Sequence, residues 1–184
     1  MAWDATPQAA RLLAVSGSLS PRCVCSRTIA ALRIVAPQGV DLAVYEGLGD
    51  LPHFNPDLDG ADVPAQVVDL RRRVAACDGL VICSPSRAHG VAGALKNALD
   101  WLAGSGELTG VPVAVINATA RAEIAYDHLC ESLTVMAAWL IEGPVIDVRR
   151  GQGLRAEDIA ADPALGPKLA AILAAVSSCL PAWA

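Results

Sequence analysis

Three short clusters of hydroxyl, thiol, amide and guanidinium residues each follow an apolar run. Ser16-Gly17-Ser18-Leu19-Ser20-Pro21-Arg22-Cys23-Val24-Cys25-Ser26 follows Leu12 to Val15. Ser84-Pro85-Ser86-Arg87-Ala88-His89-Gly90 follows Leu80 to Cys83, and Asn117-Ala118-Thr119-Ala120-Arg121-Ala122 ends the run from Val111. The first cluster leads into a helix expected over about 27–35. Backbone N–H groups and hydroxyls in such a loop point at a ligand, and the helix dipole favours negative charge. The chemistry on offer is anion binding, although an ordinary strand-to-helix turn reads the same way locally. The loop is not G-x-x-x-x-G-K-[ST] and not G-x-G-x-x-G, so two common phosphate cradles are excluded there. A phosphoacceptor domain needs acidic residues after the first strand and an Asp after the third. Ser16-Gly17-Ser18 and Ser84-Pro85 occupy those places. No nucleophile–base pair stands out. G-x-S-x-G is missing, and His53, His89 and His128 are scattered without metal spacing. His89 alone lies inside a candidate loop.

The elements that must position these clusters alternate. Strands are expected over 11–16, Val40 to Tyr45, Leu80 to Cys83, Val111 to Ala118 and Pro144 to Val148. Apolar runs without polar alternation read as strands buried on both faces of a parallel sheet. Helices fall between them. Val63, Val67, Leu70 and Val74 share one face, and Leu169, Leu173, Val176 and Leu180 mark the last. Ser84-Pro85 ends the third strand, because proline cannot donate to a ladder and restrains the residue before it. Gly90 then permits a turn. A helix from Val91 to Leu102 carries Leu95, Leu99 and Leu102 on one stripe and Val91, Ala94, Ala98 and Trp101 on a second. A helix from about 122 to 141 carries Leu129, Leu133, Met136 and Leu140, with Trp139 beside them. The order βαβαβαβαβα predicts a three-layer α/β fold, a five-stranded parallel sheet of order 2-1-3-4-5 in a single domain over 1–184. Residues 1–10 read as a loose terminus. The three clusters then meet at one sheet edge, beside the topological switch point where open α/β sheets place their ligands.

The segment from Ser84 to Trp101 resembles the signature of the NADPH-dependent FMN reductase family, a flavodoxin-like group. The family pattern is roughly S-P-E-Y-N-x-G-x-P-G-x-L-K-N-A-L-D-W. Ser84, Pro85, Gly90, Gly93, Leu95, Lys96, Asn97, Ala98, Leu99, Asp100 and Trp101 match it, while Ser86, Arg87 and Ala88 replace Glu, Tyr and Asn. Gly17, Ser18 and Leu19 match the family's G-S-L-R-x-x-S-x-N loop, with Ser20, Cys23 and Cys25 at its Arg, Ser and Asn positions. Leu51-Pro52-His53-Phe54-Asn55-Pro56-Asp57 is similar to the family's L-P-x-x-N-P-D, and Asn117 and Arg121 match N-A-S-P-R-A of one subgroup. The resemblance implies that FMN is held at its phosphate by Ser16, Ser18, Ser20, Arg22, Cys23, Cys25 and Ser26. It implies a ring site at Pro85, Ser86, Arg87, Ala88, His89 and Gly90, flanked by Asn117, Thr119 and Arg121. Arg22 is the candidate to replace the lost arginine. Thiols donate weakly beside hydroxyls and amides, so FMN affinity is expected below the family's usual range. No side chain is assigned as catalytic, because the flavin carries the chemistry.

Composition agrees with this reading. At 184 residues and 54% hydrophobic content, the chain has enough apolar surface for a core. No apolar run reaches the length of a membrane span, and no signal segment is evident at the start. A cytoplasmic location is expected. The six cysteines contain no C-x-x-C pair, so neither a disulfide framework nor a metal site is expected. The net charge of −5 and the isolated Arg71-Arg72-Arg73 run argue against nucleic acid as partner. The leading expectation is an oxidoreductase passing electrons from NADPH or NADH through FMN to a free flavin, a quinone or a similar small acceptor. The alternatives are a flavodoxin-like binding module with weakened FMN affinity and, third, a one-electron shuttle. Two apolar stripes on adjacent helices predict a two-fold homodimer, and the resemblance implies a homodimer or homotetramer.

Overall fold

The computed structural model describes residues 9–117, 123–141 and 153–179. Its main sheet contains β1 (Ala10–Ser16), β2 (Val40–Tyr45), β3 (Gly79–Ser84), β6 (Pro112–Asn117) and β7 (Trp139–Leu140). Every pairing in it is parallel, and the spatial order is β2-β1-β3-β6-β7. Counted along this sheet alone, that is the flavodoxin-like order 2-1-3-4-5. A two-strand hairpin, β4 (Ser86–Arg87) with β5 (Gly90–Val91), stands apart from it after β3.

Helices α1 (Val24–Val35), α5 (Ala156–Ala161) and α6 (Gly166–Ser178) cover one face of the sheet. Helices α2 (Ala65–Ala76), α3 (Gly93–Leu102) and α4 (Glu123–Val135) cover the other. Successive side chains of a strand point to opposite faces, so each central strand feeds both layers. Leu12, Ala14, Val81 and Cys83 join the first core, and Leu13, Val15, Leu80 and Ile82 join the second. This double burial is why these strands show no polar alternation.

Element boundaries moved where the sequence lacks a stop or start signal. Helix α1 begins at Val24, about one turn earlier than expected, because Cys23 occupies the N-cap without making a side-chain cap. Val91 belongs to β5, paired with Ser86, so α3 starts later at Gly93. Val63 precedes Pro64 and packs on the core from outside α2. Helix α4 ends at Val135 rather than near 141. The N–H groups of Ala137 and Ala138 return to the carbonyls of Thr134 (2.9 Å) and Leu133 (3.0 Å), and Ala137 sits at φ +57°. This bond pair closes a helix through a left-handed residue. Without a glycine there, apolar periodicity carried the reading through Met136 to Leu140. Trp139 and Leu140 instead form β7 against Pro112 and Val113. The strand expected at Pro144 to Val148 lies outside the described residues, as do Leu180 and most of the expected loose terminus.

Trp101 lies in the chain's own core rather than on a second exposed stripe. It is fully buried, donates from Nε1 to the Pro52 carbonyl (2.8 Å), and meets the Phe54 ring edge-on at 5.0 Å. Asn97 donates to the same carbonyl (2.9 Å) and accepts the Phe54 N–H (2.8 Å). The loop after β2 is thereby latched onto α3. The three arginines of α2 are each paired: Arg71 with Asp59, and Arg72 and Arg73 with Asp69.

Candidate functional site

Strand register brings the ends of β1, β3 and β6 to one edge. Ser16 is level with Cys83, and Ser84 is level with Asn117. The loops after β1 and β3 also touch directly. The Gly17 N–H donates to the Cys83 carbonyl (2.8 Å), and a Cβ at Gly17 would stand 2.5 Å from Ser84 Oγ and 2.8 Å from Ser84 Cβ. Only glycine permits that approach.

Hydroxyls organise the first loop. Ser16 Oγ lies 2.9 Å from Ser26 Oγ and accepts the Ser18 N–H (3.2 Å). Ser26 Oγ donates to the Ser18 carbonyl (3.3 Å), and Ser18 Oγ accepts the Ser20 N–H (3.3 Å). The first turn of α1 receives no side-chain cap and holds no acidic residue. Its N–H groups and these hydroxyls therefore suit an anion of phosphate size. Arg22 is exposed at the rim. Ser20 is exposed and Cys23 half-buried, at the N-cap.

Cys25 departs from the expectation. Its side chain is fully buried in the core with Cys83, so only its backbone can face the loop. The contact with the Cys83 thiol, reinforced by burial, raises the Cys25 pKa far above the ordinary thiol range. Burial likewise pushes the Cys77 thiol up to about 11 and raises Cys130. These thiols stay protonated and are poor nucleophiles. All six cysteines are free, and among the described residues no cluster could hold a metal ion.

The second cluster forms the β4–β5 hairpin. Pro85 is buried beneath it, Ser86 and Gly90 are half-buried, and Arg87, Ala88 and His89 are exposed. The turn falls on Ala88 (φ +48°) and His89 (φ +62°), not on Gly90. Two consecutive left-handed residues are the geometry for which Asn-Gly is preferred, so Ala-His holds it under strain. The hairpin lies against α4. The Arg87 charge weakly favours ionisation of the buried Cys25 against the larger opposing effects. Asn117 ends β6; Thr119 and Arg121 lie outside the described residues.

Sequence reasoning missed one cavity beside the first loop. It holds about 480 Å³ and opens on the β2 side of the first loop, between α1 and the turn after β2. It shares Ser16, Ser18 and Ser26 with the expected phosphate site and none of the ring-loop residues. Because β1 separates β2 from β3, this cleft and the hairpin lie on opposite sides of the phosphate loop.

Comparisons with known proteins agree on one group. A family model described as NADPH-dependent FMN reductase matches residues 10–152. An NAD(P)H-dependent FMN reductase of Pseudomonas aeruginosa is 27% identical over 150 residues, 77% of this chain and 79% of that protein. A 2-hydroxy-1,4-benzoquinone reductase of a Burkholderia species is 32% identical over 127 residues, 66% of this chain and 68% of that one. Among solved structures, the flavoenzyme NAD(P)H:(acceptor) oxidoreductase FerB of Paracoccus denitrificans superposes with a TM-score of 0.75 at 23% identity. That match covers 94% of this chain and 100% of FerB, and it speaks for the fold.

Proposed function

Because the chain belongs to the NADPH-dependent FMN reductase family, we propose that it takes hydride from NADPH or NADH and passes the electrons through FMN to a small acceptor such as a quinone or free flavin. It is an FMN-dependent NAD(P)H oxidoreductase. The observation that carries the site is the first loop. Its linked Ser16, Ser18 and Ser26 hydroxyls sit against an uncapped helix N-terminus, level with the ends of β3 and β6. These groups fit a phosphate. Bound there, FMN supplies the hydride-accepting and electron-passing chemistry.

The chain's own part is to bind and orient. Gly17 to Ser26 hold the phosphate through N–H groups and hydroxyls, with Arg22 and Arg87 as the nearby cations. The hairpin from Ser86 to Val91 and Asn117 at the end of β6 frame the ring. Gly17 keeps the two halves of this site in contact. Free thiols throughout accord with a reducing, cytoplasmic setting, and no described helix is long and apolar enough to cross a membrane.

Assembly into a homodimer or homotetramer remains part of this proposal, now carried by the second of the two expected segments alone, where Trp139 was already expected. With Trp101 buried, its support is the exposed Ile124, Val135 and Trp139 on α4 and β7. Light scattering at low micromolar concentration tests it; a monomeric mass refutes it.

Flavin fluorescence titration tests the cofactor. Quenching that saturates at micromolar protein is expected, followed by parallel initial-rate plots when donor and acceptor are varied, because one site serves both in turn. No quenching at high micromolar protein would overturn the enzyme reading in favour of a flavodoxin-like binding module.

A further inference from the structure

The β2-side cleft has no role in the reading above, yet its chemistry is defined. Ser26, Ile29, Ala30 and Arg33 line it from α1. Their spacing of three, four and seven residues puts them on one helix face, over a length of about 10 Å. Hydroxyls therefore stand at one end and a guanidinium at the other. Between them the helix offers only Ile29 and the small Ala30. The facing wall is Val44, Tyr45, Leu48 and Gly49, with the Glu46 carboxylate at its rim. The result is an elongated, mostly apolar slot with polar ends and 480 Å³ of space, within the size range of small-ligand sites.

Arg33 is the unusual member. It is exposed and makes no hydrogen bond or ion pair with another described residue, while every arginine of α2 is paired. A guanidinium at the end of an apolar slot matches the planar, bidentate geometry of a phosphate. The apolar middle suits the faces of a flat heterocycle, and Glu46 can accept from an exocyclic amine or a ribose hydroxyl. The slot meets the phosphate loop at Ser16, Ser18 and Ser26. A dinucleotide anchored in it would lie across that loop.

We propose that this cleft binds the adenosine end of the nicotinamide donor and that Arg33 recognises its 2′-phosphate, making the chain selective for NADPH over NADH. This rests on the FMN-dependent hydride-transfer reading. The cleft would then hold the adenosine end of the donor on one side of the first loop, while the ring loops receive its nicotinamide on the other.

The probe is 2′,5′-ADP, which carries the 2′-phosphate and cannot donate hydride. Calorimetry on the FMN-loaded protein should show saturable binding that NADPH displaces. Arg33→Ala should weaken it at least about tenfold, with a matching fall in the NADPH-to-NADH ratio of kcat/KM carried in KM. Ala30→Trp, which fills the slot, should abolish 2′,5′-ADP binding while flavin fluorescence still reports bound FMN. Should Ala30→Trp fail to fold, Arg33→Ala and Arg33→Glu carry the test. Three results would overturn the proposal: no 2′,5′-ADP binding to the loaded protein, release of FMN by 2′,5′-ADP, or an unmoved cofactor ratio in Arg33→Ala. Failure of the underlying function looks different. In that case the unmodified protein binds no FMN or oxidises neither donor.

Discussion

Gly17→Ala is the sharpest perturbation of the site, because its effect follows from two distances. The added Cβ would stand 2.5 Å from Ser84 Oγ, 2.8 Å from Ser84 Cβ and 3.1 Å from Ser84 Cα. The hydroxyl can rotate away, but Cβ and Cα cannot. Reaching ordinary contact requires the β1 and β3 loops to part by roughly half an ångström. That displacement strains the 2.8 Å bond from the Gly17 N–H to the Cys83 carbonyl. Overpacking of this kind costs about 1–3 kcal/mol. For a chain of this size the melting temperature should fall by about 2–12 °C, and FMN should bind at least tenfold more weakly because its phosphate and ring loops lose their spacing. Urea denaturation and fluorescence titration measure both effects. Ser84→Gly removes the two closest atoms, Oγ and Cβ, and leaves only Cα at 3.1 Å, so the double variant should regain most of the stability, whereas Ser84→Ala leaves Cβ in place and should restore little. A Gly17→Ala protein as stable as the unmodified one would refute the argument. So would a cost that Ser84→Gly fails to relieve, since the two substitutions would then be independent.

Three further outcomes follow from the same structure. Arg22→Ala should weaken FMN by about 1.5–3 kcal/mol, one charge-assisted contact, and leave riboflavin nearly unchanged; equal losses for both in fluorescence titration would remove Arg22 from the phosphate site. Ala88→Asn should stabilise the protein by about 0.5–1 kcal/mol in thermal melts, because Asn tolerates the left-handed turn that Ala88 occupies at φ +48°. The hydrogen bonds from Arg11 hold the Asp78 carboxyl below its usual range, through Nη2 at 2.6 Å and the backbone N–H at 2.8 Å. A lowered folded-state value gives stability that is complete above the ordinary carboxylate range and disappears as pH falls through the lowered one. Urea midpoints should thus drop below about pH 4 in the unmodified protein, and Asp78→Asn should flatten that part of the profile.

The central sheet and its ligand edge were readable because double burial writes itself as unbroken apolar runs. Leu12 to Val15, Leu80 to Cys83 and the run from Val111 all became strands, in the expected order. What periodicity could not supply was the exit from α4. Ala137 takes a left-handed conformation without being glycine, so nothing in composition announced that Trp139 and Leu140 would leave the helix for the sheet. The Cys25 side chain left the expected loop for a related reason. Alignment with an asparagine position placed it in the loop, while an earlier helix start turned its thiol inward to Cys83. Trp101 misled because two apolar stripes look alike whether the second faces a partner or the chain's own loop. The cleft beside Arg33 was invisible for want of a local pattern; it arises where α1 and the turn after β2 happen to diverge.

The latch on α3 has a mechanical consequence. The Pro52 carbonyl receives both Asn97 and Trp101, so the loop after β2 is fastened to the body of α3, while the β4–β5 hairpin runs directly into its N-terminus. One rigid rod thus carries two walls that belong to different ends of the ligand edge. A rod so loaded behaves as a lever: a tilt that moves the hairpin moves the fastened loop with it, and neither wall can drift alone. Under the proposed alternation of donor and acceptor above one ring, separately hinged walls would have to synchronise two motions on every turnover. The Pro52 carbonyl and the Phe54 contacts would couple the two walls, so substitutions at Asn97 or Trp101 should be felt in the timing of exchange as well as in the stability of the fold.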